Sequence, residues 1–183
     1  QFLKERGIGV GITASPGIAA TPIAGLTIHA WAGIGVKRTA SSDEVKVMAA
    51  DRRVSGRFRR ARVLIIDEIS MLDAERLDLV EHIARFARGN FEPFGGLQVI
   101  LCGDFFQLPP VAKEGETLPR FAYHSAAWKA LNLKICYLHE QYRQADRELL
   151  EVLRDIRGGE VSDKTIARLE ERRDGSLSHR RIT

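Results

Sequence analysis

The chain has 183 residues, 44% of them hydrophobic, and a formal net charge of +4. That length suits one domain, or one domain plus a piece of a second, and roughly 70% of the unfolded surface can be buried without disulfide or metal staples. No apolar run approaches the ~20 residues of a membrane span, the start is not a signal peptide, and Cys102 and Cys136 lack metal-ligand spacing. Both cysteines lie in apolar stretches, so two buried free thiols are expected, in a soluble protein of a reducing compartment.

In chain order, Gly9–Ala14 reads as a short first strand, followed by a small-residue turn and a short helix over Pro16–Ala20. A polar linker, Lys37–Ser42, leads into an amphipathic segment, Asp43–Asp51. Arg52, Arg53, Arg57, Arg59, Arg60 and Arg62 then crowd together; the plain reading is a solvated connector, the alternative a phosphate-facing patch. Val63-Leu64-Ile65-Ile66 lacks polar alternation, the mark of a strand buried on both faces of a parallel sheet. Asp73 is placed to cap a helix reaching about Arg88, with Leu77, Val80, Ile83, Ala84 and Ala87 at helical spacing. Gly95-Gly96 breaks the chain before a second buried-type strand, Leu97–Cys102. Pro109-Pro110 and the Gly115 region form a loop, and Leu133–Leu138 reads as a further strand. Leu149, Val152, Leu153 and Ile156 give a helical stripe stopped by Gly158-Gly159, and a charged helix over Ser162–Glu171 follows. This alternation predicts an α/β fold with a parallel sheet and helices on both faces.

Asp67 and Glu68 sit just past the carboxyl end of the Val63 strand, where open α/β sheets bind ligands. Two adjacent acids there suit a nucleoside-triphosphate hydrolase, the first helping to hold Mg²⁺ and the second polarising a water; a charged turn is the plain alternative. Gln107 follows the next strand, behind a glycine that permits a sharp exit and ahead of two stiffening prolines. Its amide can donate to a phosphate oxygen and accept from the attacking water. For Asp104, bonding the turn and a functional role both fit. Arg143 offers a forked cation for charge on the transferred phosphoryl group, or a partner for Glu140 or Asp146. Thr13–Ala20 and Gly25–Trp31 combine small residues with hydroxyls and amides suited to phosphates. His29 and Trp31 add a polar ring and a stacking face, and Trp31 fits equally as a core aromatic.

Together, Thr13–Ala20, Gly25–Gly35, Ile65–Leu72, Phe94–Val111, Phe121–Trp128 and Leu138–Asp146 resemble the petite-integration-frequency (Pif) family of superfamily-one DNA helicases. Phe-Gly-Gly-Leu-Gln, Gly-Asp-Phe-Phe-Gln-Leu-Pro-Pro-Val and Glu-Gln-Tyr-Arg-Gln are the most specific runs. The resemblance implies an incomplete RecA-like P-loop NTPase fold, with a first motor domain over 1–157 and a helical linker over 158–183 toward a second one. It implies ATP-driven five-prime to three-prime movement on single-stranded DNA and unwinding of duplex or forked DNA, in repair, recombination and telomere upkeep. In that scheme Asp67 acts on Mg²⁺ through its water shell, Glu68 is the general base, Gln107 senses the terminal phosphate of ATP and Arg143 contacts it. Thr13, Ser15, Gly17, Thr27 and His29 line the DNA path. The same resemblance implies a monomer with no membrane partner, working inside the cell: nucleus or mitochondrion in a eukaryote, cytoplasm in a bacterium.

Three departures stand out. Pro16 replaces the family's usual threonine, removing a hydroxyl and an N–H, and Pro22 and Ala24 stand near positions that commonly hold His and Gly. No G-x-x-x-x-G-K-[ST] phosphate cradle is present. The expectation is a piece of a longer helicase that by itself lacks unwinding activity and has negligible ATPase. Two other readings share the acid pair or the fold: a RecD-like ATPase subunit, and a non-catalytic DNA-binding module.

Overall fold

The computed structural model describes residues 2–15, 25–112, 118–138, 140 and 146–174. The chain packs as two compact units, Gln1–Lys134 and Ile135–Thr183. The first is built on four parallel strands in the order β2-β1-β3-β4: β1 (Val10–Ala14), β2 (Leu26–Thr27), β3 (Val63–Asp67) and β4 (Gln98–Leu101). Its helices are α1 (Phe2–Glu5), α2 (Ile28–Ala32), α3 (Ser42–Ala50), α4 (Arg52–Arg60), α5 (Ala74–Arg88) and α6 (Ala126–Ala130).

Side chains alternate across the sheet, so in-register residues share a face. Gly11, Leu64 and Val99 line up on one face, as do Thr13, Ile66 and Leu101. Leu64, Ile66 and Val99 belong to the single core, which also takes in Trp31, Phe58, Leu77, Val80 and Ile83 from α2, α4 and α5. Gly11 is required here because a Cβ would lie 2.7 Å from the Trp31 ring. Trp31 meets Phe58 edge-on at 4.5 Å between centroids, which confirms its core role. The opposite face carries Ile12, Ile65 and Ile100, none of which joins that core, and Ile100 is 38% exposed. Among the described residues, helices therefore cover one face well and leave the other half-open.

Local chemistry explains the helices. Ser41 and Glu44 form a reciprocal capping box that starts α3, and Lys37 bonds the same Glu44 carboxylate at 2.7 Å. Asp73 caps α5 through the Arg76 N–H and Gly89 ends it in the left-handed conformation, so this helix matches its expected bounds. The arginine-rich run is a helix rather than a connector. Asp51 caps it through the N–H groups of Arg53 and Val54, and Val54 and Phe58, one turn apart, fill the core. Arg57 and Arg59 donate to the carbonyls of Ala30 and Ala87, so part of the cationic run ties secondary structure together.

Two further expectations are corrected. Residues 133–138 form no strand; no neighbouring backbone supplies a ladder among the described residues, and Leu138 is 98% exposed. Cys102 and Cys136 are free but exposed, not buried, because one lies just past the end of β4 and the other in that irregular segment. The expected helix over Pro16–Ala20 and the Gly115 region of the loop lie outside the described residues.

In the second unit α7 (Arg147–Gly158) and α8 (Asp163–Asp174) pair. Asp155 accepts from both hydroxyls of Ser162 and Thr165, while Glu151 takes Lys164 at 2.9 Å and Arg168 at 3.0 Å. Val152 and Thr165 are the buried contacts of this pair.

Candidate active site and nucleic-acid face

The strands end along one rim in a defined sequence. Register aligns Thr27 of β2, Ala14 of β1 and Asp67 of β3 side by side. With strands about 4.8 Å apart, Thr27 and Asp67 are separated by roughly 10 Å across the rim. Residues just past these positions are His29, Ser15 and Glu68, and the exit from β4 carries Cys102–Gln107. Thus Ser15, Thr27, His29, Asp67, Glu68 and Gln107 all belong to the carboxyl edge of one sheet.

The acid pair occupies its centre. Asp67 ends β3; its Oδ1 accepts the Glu68 N–H at 3.0 Å, and its carbonyl accepts from Ser15 N at 3.0 Å. Glu68 adopts φ 51° and ψ 46°, a left-handed conformation that costs a non-glycine residue of order 1–3 kcal/mol. The geometry turns the chain sharply into a single 3-10 turn, Ile69–Met71, and leaves Glu68 half-buried at the bend. The turn is locked from β4, because Ile69 N donates to the Cys102 carbonyl at 2.9 Å. Gly103 approaches so closely that a Cβ would lie 2.9 Å from Ile69 N. Although Cys102 is exposed overall, partial desolvation of its thiol and then the Asp67 carboxylate raise its pKa above the ordinary value.

Gln107 is positioned by the turn it belongs to. Asp104 accepts the Phe106 N–H at 3.1 Å through one oxygen and the Gln107 side-chain amide at 3.0 Å through the other. Asp104 therefore bonds the turn, the first of the two readings considered for it, and in doing so holds the Gln107 side chain. That bond uses one of the two N–H groups of the Gln107 amide, leaving the second to donate and the carbonyl oxygen to accept. Phe105 anchors the turn, packing edge-on against Phe121, Tyr123 and Trp128 at 5.0–5.9 Å, whereas Phe106 is 80% exposed. Sequence reasoning missed this anchor; the Phe-Phe pair does not say which ring turns inward.

The expected nucleic-acid residues fall into two groups. Thr27 caps α2 by accepting from Ala30 N at 3.2 Å, and His29 is half-buried one helical step further on. Burial, and then the Arg76 guanidinium, hold the His29 imidazole below its usual pKa, with Asp73 pulling the other way. Thr13, by contrast, is 1% exposed and its hydroxyl donates to the Ile65 carbonyl at 2.8 Å. It lies behind the rim as a tie between β1 and β3, so its side chain is not presented to a strand of DNA. Ser15 is fully buried and its hydroxyl has no partner among the described residues, as is Ser70 on the other side of the acids. Gly17 and Arg143 lie outside the described residues.

A Mg²⁺ ion that travels with nucleotide phosphates needs only one or two carboxylates from protein, since waters and phosphate oxygens complete its shell. Among the described residues no group of three His, Cys, Asp or Glu side chains converges as a dedicated cage. The donor set around Asp67 fits the first arrangement. No helix among the described residues is long and apolar enough to cross a membrane.

Known proteins resemble the chain in sequence and in fold. Residues 1–167 match the family model described as PIF1-like helicase. The chain is 44% identical over 179 residues to the ATP-dependent DNA helicase Pif1 of Psychrobacter, covering 93% of this chain and 27% of that protein. The crystal structure of Pif1 helicase from Candida albicans superposes with a TM-score of 0.80 at 38% identity, over 97% of this chain and 40% of that one. Pif1 helicase from Bacteroides, solved in complex with ADP-AlF3 and ssDNA, gives a TM-score of 0.76 at 30% identity, over 93% of this chain and 41% of that one. The chain thus spans less than half the length of these relatives. On the match across nearly all of its residues, it belongs to the PIF1-like helicase family.

Proposed function

We propose that this chain forms the hydrolytic half-site and part of the DNA track of an ATP-dependent DNA helicase moving five-prime to three-prime on single strands. The observation that carries the reading is the shared rim. The Asp67–Glu68 pair stands one strand from Ser15 and two from Thr27, which supports a reading in which hydrolysis and DNA contact share one edge.

Phosphoryl transfer depends chiefly on positioning and charge neutralisation. Bound with the triphosphate, Mg²⁺ would neutralise charge on the phosphate oxygens, and Asp67 would hold it through its water shell. Glu68, fixed at the bend, takes a proton from the attacking water, a role worth roughly 10²–10⁴-fold. Gln107, steered by Asp104, reads the terminal phosphate through its amide, and Arg143 is assigned to the same phosphate on the family pattern. On the DNA side Thr27 and His29 contact the strand with Gly17, and Thr13 and Ser15, both buried, support them from inside the sheet rather than touching it. The motor domain is taken as 1–157, with 158–183 leading onward. The partners proposed are ATP and single-stranded, duplex and forked DNA, with a monomer as the translocating unit. Its setting is genome maintenance inside the cell: repair, recombination and, where telomeres exist, their upkeep.

The direct test uses the protein carrying this chain and partial duplexes with single-stranded tails of either polarity. ATP- and Mg²⁺-dependent unwinding only of the five-prime-tailed substrate supports the reading. Unwinding restricted to three-prime tails, or no nucleotide-dependent unwinding of either, rejects it.

A further inference from the structure

The turn that bears Glu68 continues directly into the start of α5, where a polar cluster joins the acid pair to the DNA-side helix. Met71 N donates to the Glu68 carbonyl at 3.1 Å and Leu72 N to that of Ile69 at 3.1 Å, leaving no slack before Asp73. Asp73 is 1% exposed; it caps α5 through Arg76 N and pairs with the Arg76 guanidinium. Arg76 reaches on to the Val36 carbonyl at 3.2 Å, in the segment that follows α2, and Arg38 lies 3.6 Å from the same Asp73 oxygen. The α2 helix is fastened to that segment too, since Ile34 N donates to the His29 carbonyl at 3.0 Å.

The cluster is only partly satisfied. Nδ1 of His29 and Nε of Arg76 are both buried without a hydrogen-bond partner among the described residues. Unpaired buried polar atoms disfavour the arrangement that contains them, so any shift of α2 against α5 that paired either atom would be favoured by that gain. A packed element with two such arrangements is what energetic coupling between sites requires.

We propose that Arg76, held by Asp73, is a positioning residue through which DNA on the α2 side and the Glu68 turn sense each other. Arg76 touches neither nucleotide nor DNA in this scheme; it transmits the position of α2 to the base of the turn. The proposal rests on the helicase reading above, and its test keeps the two separate.

In the protein carrying this chain, the rate of ATP hydrolysis is measured with and without single-stranded DNA for wild type, Arg76→Ala, Arg76→Lys and Glu75→Gln. Arg76→Ala is expected to lower the ratio of DNA-stimulated to DNA-free kcat by at least about tenfold, with less than about threefold change in the half-saturating DNA concentration. A tenfold loss in that rate ratio corresponds to about 1.4 kcal/mol of activation free energy. Arg76→Lys keeps the charge but not the fork and should recover part of that ratio; it also decides the matter if the alanine variant does not fold. Glu75→Gln removes the neighbouring ion pairs with Arg38 and Arg120 and should leave the ratio unchanged. Wild-type ratios in both Arg76 variants, or an equal loss in Glu75→Gln, would overturn the proposal. Absence of any DNA stimulation in the wild type would instead overturn the helicase reading beneath it.

Discussion

Replacing Gly103 by alanine adds one methyl group where the exit from β4 meets the Glu68 turn. The new Cβ would lie 2.9 Å from Ile69 N, 3.0 Å from Ile69 Cγ2 and 3.3 Å from Ser70 N. Ordinary contact begins near 3.4 Å, so the turn must retreat by about 0.5 Å. Overpacking of this kind costs about 1–3 kcal/mol, read as a lower denaturant midpoint with unchanged slope. The retreat falls on the residue next to Glu68. A displacement of about 1 Å at a reacting group costs ~100-fold, so kcat should fall about tenfold while nucleotide affinity holds. The nearest atom is backbone, and this gives a sharper test. Ile69→Ala should cost about 2–5 kcal/mol by itself; it removes the Cγ2 contact but not the one to Ile69 N, so the double variant should lose about 0.5–3 kcal/mol less than the sum while the rate stays low. Wild-type stability and rate in Gly103→Ala, or recovery of activity in the double variant, would refute the argument.

Glu68→Gly should abolish hydrolysis without lowering stability, and can raise it by up to about 1 kcal/mol, because glycine relaxes the left-handed bend; equilibrium unfolding of that variant beside Glu68→Gln measures the difference. The lowered pKa of His29 means that the unfolded chain takes up its proton first as pH falls. Its contribution to stability is therefore complete above pH 6.5 and is lost as pH drops below that value. His29→Asn should flatten that limb of the midpoint-against-pH curve, and an unchanged limb would exclude His29 as its source. On α4, Arg52 and Arg53 are exposed whereas Arg57 is bonded to Ala30. Replacing the first two by alanine should lower the slope of log affinity for single-stranded DNA against log salt by up to about 1.4, at about 0.7 each. Arg57→Ala should show mainly as lost stability in the unfolding midpoint. Equal effects from all three would remove the distinction.

What could be seen in the sequence was whatever a single strong periodicity or terminus encodes. β3 and its acids were legible because four apolar residues end in two charges, and α5 because Asp73 and Gly89 bracket a helical stripe. α4 was not, since only Val54 and Phe58 mark its buried side and arginines dominate the rest. The expected strand at 133–138 has the apolar residues of a strand but finds no neighbour to bond with among the described residues, and ladder partners are a tertiary property. Within the candidate site, Asp67, Glu68 and Gln107 were proposed from local motifs and Thr27 and His29 from the family resemblance; the structure places the first two and Thr27–His29 at the carboxyl ends of strands of one sheet, and Gln107 in the turn after β4. The burial of Thr13 depends on which face of β1 packs against the core, the inward turn of Phe105 on three distant aromatics, and the Asp73–Arg76 cluster on segments some forty residues apart. None of these leaves a local signature. Arg143 and Gly17 lie outside the described residues, and their roles stand as proposals.

The central claim is that Glu68, held at the bend behind Asp67, is the base for hydrolysis on the rim that also carries DNA. The most direct measurement is ATP turnover, with saturating single-stranded DNA and Mg²⁺, by the protein carrying this chain and its Glu68→Gln variant, alongside nucleotide binding by each. Turnover should fall by roughly 10²–10⁴-fold with nucleotide affinity within about threefold of wild type. A Glu68→Gln variant that turns over ATP within twofold of wild type would contradict the account.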